Sequence, residues 1–363
     1  MRVLLVEPYY GGSHKVWANG YRDHSAHTVD LLTLPAQFWK WRMQGGAVTL
    51  ARLYRELAAH PAVLLVSEMI DLALFRALSG DADGRRPVAL YMHENQLTYP
   101  QNTRQRHGWQ YGFINYASAL AADAVYFNSG FHRRSFLEAL PRMLKHFGDY
   151  HELQTVDEIE RKASVLPPGV RLQRLDRYRV ARPPGPPIIL WNHRWEADKN
   201  PRLFLQALYA LADEGVPFRV ALVGENIRRS PGEFVLARER LGARVIRYGY
   251  VETFAEYARL LWQADYVISS AYQDFFGIAV VEAMYCGCIP LLPDRLNYPA
   301  LIPQEYHPLL LYRRDRLLPL LRRHLQGEFA VNRDALRHHV AGFDWVQVAP
   351  RYDAALTALA QTE

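Results

Sequence analysis

Residues 167–187, PPGVRLQRLDRYRVARPPGPP, open on Pro167-Pro168 and close on a PPGPP run, and their reading decides how the chain divides. Proline fixes φ and lacks a backbone donor, so PPGPP can be neither helix nor sheet interior. The same alternation runs on both sides of it: short Val/Leu/Ile-rich runs separated by helix-length periodic segments. Before it, strands are expected at 2–8 (RVLLVEP), 28–35, 62–69, 88–94 and 123–129, with helical patterns such as 51–60 and 112–123 between them. After it, strands are expected at 187–193, 218–224, 244–250, 266–270, 288–292 and 308–312, with helices that include 202–215 and 254–265. Continuous apolar strands alternating with helices predict parallel sheets covered on both faces. The expected architecture is α/β: two Rossmann-like, doubly wound domains, 1–170 and 188–345, joined by a proline-rich hinge at 171–187. Residues 346–363 read as a C-terminal helix that packs back toward the first domain. Such sheets bind ligands beyond the C-terminal ends of their strands, so the site is expected in a cleft that the two domains face across.

Composition narrows the function classes. The 363 residues are half hydrophobic and 12% aromatic, which suits packed cores and excludes disorder. No apolar run approaches the length of a membrane span, and MRVLLVEPYY passes too soon into polar GGSHK to be a secretion signal, so no membrane partner is expected. Two cysteines, Cys286 and Cys288, make neither a disulfide framework nor a good metal site, which fits a reducing cytoplasm. The net charge of +6 is uneven: residues 1–180 carry +5 and residues 181–363 carry +1. That places a hint of a polyanionic partner in the first half. The absence of G-x-x-x-x-G-K-[ST] excludes a P-loop NTPase, and no G-x-G-x-x-G follows the first strand. Asp81-Ala82-Asp83 has the form of a metal-holding D-x-D but sits in GDADGRR, a solvated loop. No metal is expected.

Polar residues gather where strands meet the expected cleft. Strand 2–8 runs into EPYYGGSHK (7–15), where Gly11 and Gly12 let the backbone approach a ligand, or simply make a tight turn. The fourth strand ends in HENQLTYP (93–100): His93 can bond a sugar hydroxyl, while Glu94 and Asn95 either fix a polyol or cap the next segment. In WNHRWEADKNP (191–201), Asn200-Pro201 starts a helix, and Arg194 and Lys199 bracket the loop before it. An Arg fork and a Lys point charge can stabilise a departing diphosphate; ion pairs with Glu196 or Asp198 are the plainer alternative. In SSAYQDFFGIAVVEAMYCGCIP (269–290), Glu282 sits in an apolar helix with Ile278, Ala279, Tyr285 and Cys286 one turn away and no cation on its face. Such a carboxylate needs a partner, and a ribose diol would supply one. The helix opens at Phe276-Gly277-Ile278, whose backbone N–H groups suit phosphate. Asp274, separated from Glu282 by seven residues, lies near the sugar or caps the helix.

These residues resemble the retaining glycosyltransferases of family 4, with the two-domain GT-B fold. That resemblance implies Arg194 and Lys199 on the diphosphate and Glu282 on the ribose. It further implies Asp274 and the backbone of Phe276, Gly277 and Ile278 on the sugar and phosphates, Gly11 and Gly12 on the donor, and His93 on the transferred sugar. The sequence departs once, with Asp274 where the family's motif has glutamate. EPYYGGSHK, LPAQFWKWR (34–42), YMHENQLTYP and YGFINYASALAADAVYFNS (111–129) are more closely similar to the tRNA-queuosine alpha-mannosyltransferase group. The implied reaction is transfer of mannose from GDP-mannose, or another nucleotide sugar, to the queuosine of a tRNA anticodon, with retention, by a monomer without a metal or cofactor. Residues 1–170 would then hold the acceptor and residues 188–345 the nucleotide sugar. The acceptor residues are expected to be Ser13, His14, Trp39, Trp41, Arg42, Glu94 and Asn95. LPAQFWKWR reads as an RNA-facing loop in which Trp39 and Trp41 stack on bases, or pack beneath the loop. Arg104/Arg106/His107, Arg133/Arg134 and Lys145/His146 would continue a phosphate track. Competing readings are a family 4 hexosyltransferase with another acceptor, a nucleotide-sugar 2-epimerase, and a non-catalytic RNA-binding relative.

Overall fold

The computed structural model describes residues 1–57, 61–80, 86–99, 108–225, 232–314 and 316–361. The Asp81-Ala82-Asp83 loop and the basic residues Arg104, Arg106 and His107 lie outside the described residues. The chain forms two compact units, residues 1–170 with 345–363, and residues 171–344.

The first unit is built on β1 (Arg2–Tyr10), β2 (Thr28–Pro35), β3 (Val63–Ser67), β4 (Val88–Met92), β5 (Ala124–Phe127) and β6 (Ala163–Val165), in the order β2-β1-β3-β4-β5-β6. Every pairing is parallel. Because side chains alternate along a strand, β1 feeds two cores. Leu4 and Val6 join Leu64, Val66 and Leu90 on one face, while Val3 and Leu5 join Val63, Leu65 and Tyr91 on the other. Two helices close the second face, Gly12–His24 and the C-terminal Trp345–Ala360. The latter buries Trp345, Val348, Ala349, Tyr352 and Leu356, an i, i+3, i+4, i+7, i+11 stripe. Its Tyr352 hydroxyl accepts from Trp17 Nε1 at 3.2 Å and donates to the Pro167 carbonyl at 3.1 Å, so this helix fixes the tryptophan that will support the site.

The second unit contains β7 (Ile188–Asn192), β8 (Arg219–Val223), β9 (Val245–Gly249), β10 (Tyr266–Ile268), β11 (Ile289–Pro293) and β12 (Leu311–Tyr312). Its order is β12-β11-β10-β7-β8-β9, again all parallel. Strand order reverses between β1 and β3 in the first unit and between β7 and β10 in the second. Loops at the C-terminal ends of those strands diverge there, and they form the site of a doubly wound sheet.

Four segments differ from the sequence reading. The LPAQFWKWR segment is a loop only as far as Phe38, because a helix spans Trp39–Arg55. Gly45-Gly46 inside it masks the helical pattern. Strand β6 is a three-residue run, too short to leave a period. The apolar stretch 308–312 divides into a helical turn, His307–Leu310, and the two residues of β12, a choice that periodicity cannot make. The segment read as a hinge contains the helix Gln173–Asp176, with Leu172 and Leu175 buried and Trp262 Nε1 donating to the Leu175 carbonyl at 2.9 Å.

Candidate functional site

At the switch point of the first unit, two acids stand in strands that are otherwise apolar. Glu7, near the end of β1, is fully buried: Oε1 accepts from the Tyr9 N–H at 2.8 Å, and Oε2 lies 3.1 Å from His14 Nδ1 and 3.9 Å from His93 Nε2. Glu68, just past β3, accepts from the N–H groups of His93 (3.0 Å) and Glu94 (3.1 Å), so it shapes the turn that presents His93. The His93 ring packs edge-on to Trp17 and Tyr91, at 4.5 and 4.7 Å, and 4.3 Å from His14. Asn128 Nδ2 donates to its carbonyl at 2.7 Å.

Burial and mutual charge divide these groups. Burial alone would lower the pKa of His14, but the adjacent Glu7, with Glu68 and Glu94, pushes it up to about 9. His93 goes the other way, well below the ordinary imidazole value, because burial and the charge on His14 both oppose its protonation. Glu68 is pushed up to about 8 by burial, with Glu94 and Glu7 adding to the rise. At neutral pH the cluster is therefore a Glu7–His14 ion pair beside a neutral His93. Ligand atoms of Glu7, His14 and His93 lie within 4.8 Å of one another, close enough for a cation, which would have to displace the proton that His14 holds.

The residues expected around an acceptor separate into two groups. Ser13 and Trp41 are exposed, and Glu94 is half-buried with its carboxylate accepting from Gln96 Nε2 at 2.7 Å. Asn95 is fully buried, and its Oδ1 caps the N–H groups of Leu97 and Thr98, the capping role foreseen as the alternative. His14 is likewise buried in its ion pair, and Trp39 packs half-buried against Tyr111 at 5.1 Å. Arg42 is held by two bonds to the Pro35 carbonyl. Gly11 is the N-cap of helix Gly12–His24, and Gly12 takes φ +49. Arg133 reaches Glu160 and the Ala163 carbonyl, so it ties the Gly130–Leu144 helix to β6.

In the second unit the loops after β7 and β10 are stitched together. The Ser270 hydroxyl bonds the carbonyls of Lys199 (3.1 Å) and Asn200 (2.8 Å), and the Tyr272 N–H donates to the Asp198 carbonyl at 2.7 Å. Lys199, buried, donates to the Gln273 carbonyl at 2.6 Å and lies 3.2 Å from Asp198. The sequence pairs of β7 and β10 thus meet: Lys199 stands against the segment that leads into Asp274. Arg194 remains exposed, 3.4 Å from Glu196, so both local ion pairs foreseen as alternatives are formed. Asn200 adopts φ +49 and starts helix Pro201–Asp213 without a side-chain cap.

The helix Ile278–Tyr285 begins at Gly277, whose φ of +102 strongly favours glycine and where a Cβ would sit 3.0 Å from Leu301. Asp274 accepts from the Phe276 N–H at 3.2 Å and from the Tyr298 hydroxyl at 3.1 Å. It closes a turn just before the helix rather than capping it, and the Phe276 N–H expected to meet phosphate is already engaged. The N–H groups of Val280 and Val281 already donate to the Gly277 carbonyl at 3.0 Å, so those of Gly277, Ile278 and Ala279 are the local donors of that class. Glu282 has a partner after all: its Oε2 accepts from the Tyr257 hydroxyl at 2.9 Å, and Asn192 donates to Tyr257 (3.2 Å) and to the Ala279 carbonyl (3.0 Å). Burial nevertheless pushes Glu282 up to about 7. His193, buried beside Lys199, is pushed down to about 4, chiefly by burial.

Sequence reasoning did not find Glu7, Glu68, Tyr257, Asn192, His193 or Tyr298. An acid inside RVLLVEP and another inside VLLVSEM were the available signals for the first two.

Residues 2–170 match the family model described as tRNA-queuosine alpha-mannosyltransferase N-terminal, and residues 173–313 match the one described as glycosyl transferases group 1. The tRNA-queuosine alpha-mannosyltransferase of Drosophila melanogaster is 36% identical over 312 residues, 84% of this chain and 82% of the fly protein. The chain belongs to the tRNA-queuosine alpha-mannosyltransferase family. It is a glycosyltransferase, a hexosyltransferase, with the GT-B fold. This member is also similar, at 24% identity over 96% of its length and 94% of the relative's, to a GDP-mannose:cellobiosyl-diphosphopolyprenol alpha-mannosyltransferase of Xanthomonas campestris. Among solved structures, a glycosyltransferase from Rickettsia africae superposes with TM-score 0.71 at 15% identity, covering 100% of this chain and 99% of the other. An Anabaena protein in complex with UDP and glucose gives 0.67 at 15% identity, covering 99% and 100%.

Proposed function

We propose that this family member transfers mannose from GDP-mannose to the queuosine of a tRNA anticodon, with retention and without a metal. The observation that carries the reading is the match of residues 2–170, because that half is specific to the queuosine family whereas the second half is shared by group 1 glycosyltransferases. Lys199 and Arg194 meet the diphosphate, with Gly277, Ile278 and the glycines Gly11 and Gly12 lining the donor. Glu282 takes the ribose, Asp274 shapes the loop beside the sugar, and His93 meets the transferred hexose. Charge accumulates on the diphosphate as the glycosidic bond to mannose breaks. A buried ammonium answers that charge in a poorly hydrated environment, where it acts more strongly than in water. A neutral His93 can donate or accept a hydroxyl hydrogen bond without adding a second cation beside His14.

The basic excess of the first 180 residues suits a polyanionic acceptor. Among the described residues no helix is long and apolar enough to cross a membrane; the setting proposed is a monomer working on tRNA in the cytoplasm. A second reading keeps the donor and changes the acceptor; the Xanthomonas relative, named for GDP-mannose and a polyprenol-linked sugar, favours it. The test is mass spectrometry of nucleosides from queuosine-containing tRNA incubated with the protein and GDP-mannose. Queuosine heavier by one hexose is expected. Unmodified queuosine, with GDP-mannose consumed on a lipid-linked sugar instead, would establish the second reading.

A further inference from the structure

Two large, exposed apolar side chains of the first unit lie together at the start of helix Trp39–Arg55. Phe38 is 76% exposed and Trp41 57%. Phe38, the N-cap residue, takes φ 50 and ψ 55, a left-handed conformation in which a bulky aromatic is strained. Trp41, one turn on, lies against Gly45: a Cβ there would come within 2.5 Å of the indole, so only glycine lets the ring rest on the helix. One face of the indole is fixed by that contact while the residue stays open to solvent. Along the sequence around them the charge is of one sign, with Lys40 and Arg42 beside Trp41, while Arg52 pairs with Glu56 and Arg55 donates to the Leu78 carbonyl further along the helix. Between Asp30 and Glu56 the chain carries Lys40, Arg42, Arg52 and Arg55 and no acid. Arg42 is anchored through the Pro35 carbonyl, so its guanidinium has a set position.

We propose that Phe38 and Trp41 are a stacking platform for unpaired bases that flank the modified nucleoside in the acceptor RNA, with Lys40 and Arg42 alongside for phosphates. This rests on the tRNA reading above and adds the surface that holds the loop. Rigid aromatic faces among cations suit single-stranded RNA, because every base offers a π-face and every linkage an anion. A lipid surface is the less suitable occupant. The exposed positions of this helix include Lys40, Gln44, Arg52 and Arg55 as well as Trp41 and Val48, a mixed face with no continuous apolar band.

The experiment compares Phe38→Ala, Phe38→Gly, Trp41→Ala and Trp41→Phe with the unaltered enzyme. Phe38→Ala and Trp41→Ala are each expected to raise KM for queuosine-containing tRNA about ten- to hundredfold, with kcat and KM for GDP-mannose within about twofold. Trp41→Phe should keep most of the affinity. Phe38→Gly should bind RNA as poorly as Phe38→Ala yet melt no lower than the unaltered enzyme, since glycine takes this backbone without strain. A purely structural Phe38 would show the reverse. KM for tRNA within twofold in both alanine variants overturns the proposal. So does lost binding to phosphatidylserine vesicles with an unchanged KM for tRNA. Should the enzyme hexosylate no tRNA, the proposed function falls separately, and binding of the anticodon stem-loop by fluorescence anisotropy then decides the platform by the same ratios.

Discussion

The two units bring polar groups to equivalent places, the switch points of two doubly wound sheets, but they treat charge in opposite ways. In the second unit each group has a local partner: Lys199 has Asp198 and the Gln273 carbonyl, Arg194 has Glu196, Glu282 has Tyr257, and Asp274 has Tyr298 and the Phe276 N–H. In the first, Glu7 is paired with His14 and Glu68 with two N–H groups, but all are buried or nearly so. His93, against Trp17 and Tyr91, has an Nε2 with no hydrogen bond among the described residues. In the second unit Lys199 is held by Asp198 and the Gln273 carbonyl, so the diphosphate site proposed there would be set before a ligand arrives. The first stores a charged pair within a core, a costly arrangement unless the geometry is needed for function.

The comparison breaks most readily at Lys199 and Glu282. Replacing either by alanine should lower kcat/KM for transfer about 10²-fold or more, a few kcal/mol of transition-state stabilisation. Arg194, exposed and 3.4 Å from Glu196, should matter less, about tenfold on substitution by alanine. Steady-state kinetics on queuosine-containing tRNA would read all three. Equal losses at Arg194 and Lys199 would show that burial does not rank them.

A smaller effect tests the first unit. Glu7→Gln removes the anion that raises His14, so buried His14 should become neutral at pH 7 and kcat should fall about tenfold, with KM for the donor little changed. Stability carries a sign. His14 is pushed up to about 9, above its unfolded value, so the pair's contribution is full below about pH 6.5 and is lost as pH rises toward 9. Melting temperature of the unaltered protein should therefore fall between pH 6.5 and 9, and the Glu7→Gln variant should lose that component of the slope. A parallel slope in both proteins would remove the pair from the account.

Glu282 gives the next effect, on stability rather than rate. Its carboxyl is pushed up to about 7 by burial, so the folded state holds a proton that the unfolded state releases from about pH 4.5 upward. Stability from this group falls across pH 4.5 to 7. Glu282→Gln should melt a few degrees higher than the unaltered protein at pH 8 and about equally at pH 4.5, while losing donor binding. Thermal melts at the two pH values check it, and a variant that melts lower at pH 8 would mean that Tyr257 compensates the carboxylate fully.

What could be read in the sequence follows from how local each signal is. Two proline-divided runs of apolar strands were enough for two parallel sheets, and the loops after β1, β4, β7 and β10 were found because polar clusters end apolar runs. Glu282 was conspicuous for the same reason, but its partner was not, since Tyr257 lies 25 residues away on another helix and nothing local joins them. Glu7 and Glu68 were passed over because a single acid leaves an apolar strand's pattern intact. Asn95 stands between: of the two roles left open for it, the structure shows the capping of its own loop. The sheet orders themselves could not be read, because register and neighbour choice come from packing that no single segment encodes.

The finest distinction concerns Asp274, where this chain departs from the glutamate of the family motif. With the shorter side chain, both oxygens are already in use within the loop, on the Phe276 N–H and the Tyr298 hydroxyl. Tyr298 is itself buried and shares its hydroxyl with Ser269 at 2.7 Å, so the carboxylate belongs to a network that links the end of β10 to the segment after β11. Asp274→Glu would carry the charge about one methylene further and disturb that network without removing the acid. If Asp274 shapes the loop, kcat/KM should fall only a few-fold, with a loss of stability of about 1 kcal/mol from the displaced hydrogen bonds. Were Asp274 instead a direct contact to the hexose that the shorter side chain barely reaches, the glutamate variant would be faster than the unaltered enzyme, and kcat for Asp274→Glu alone distinguishes the two.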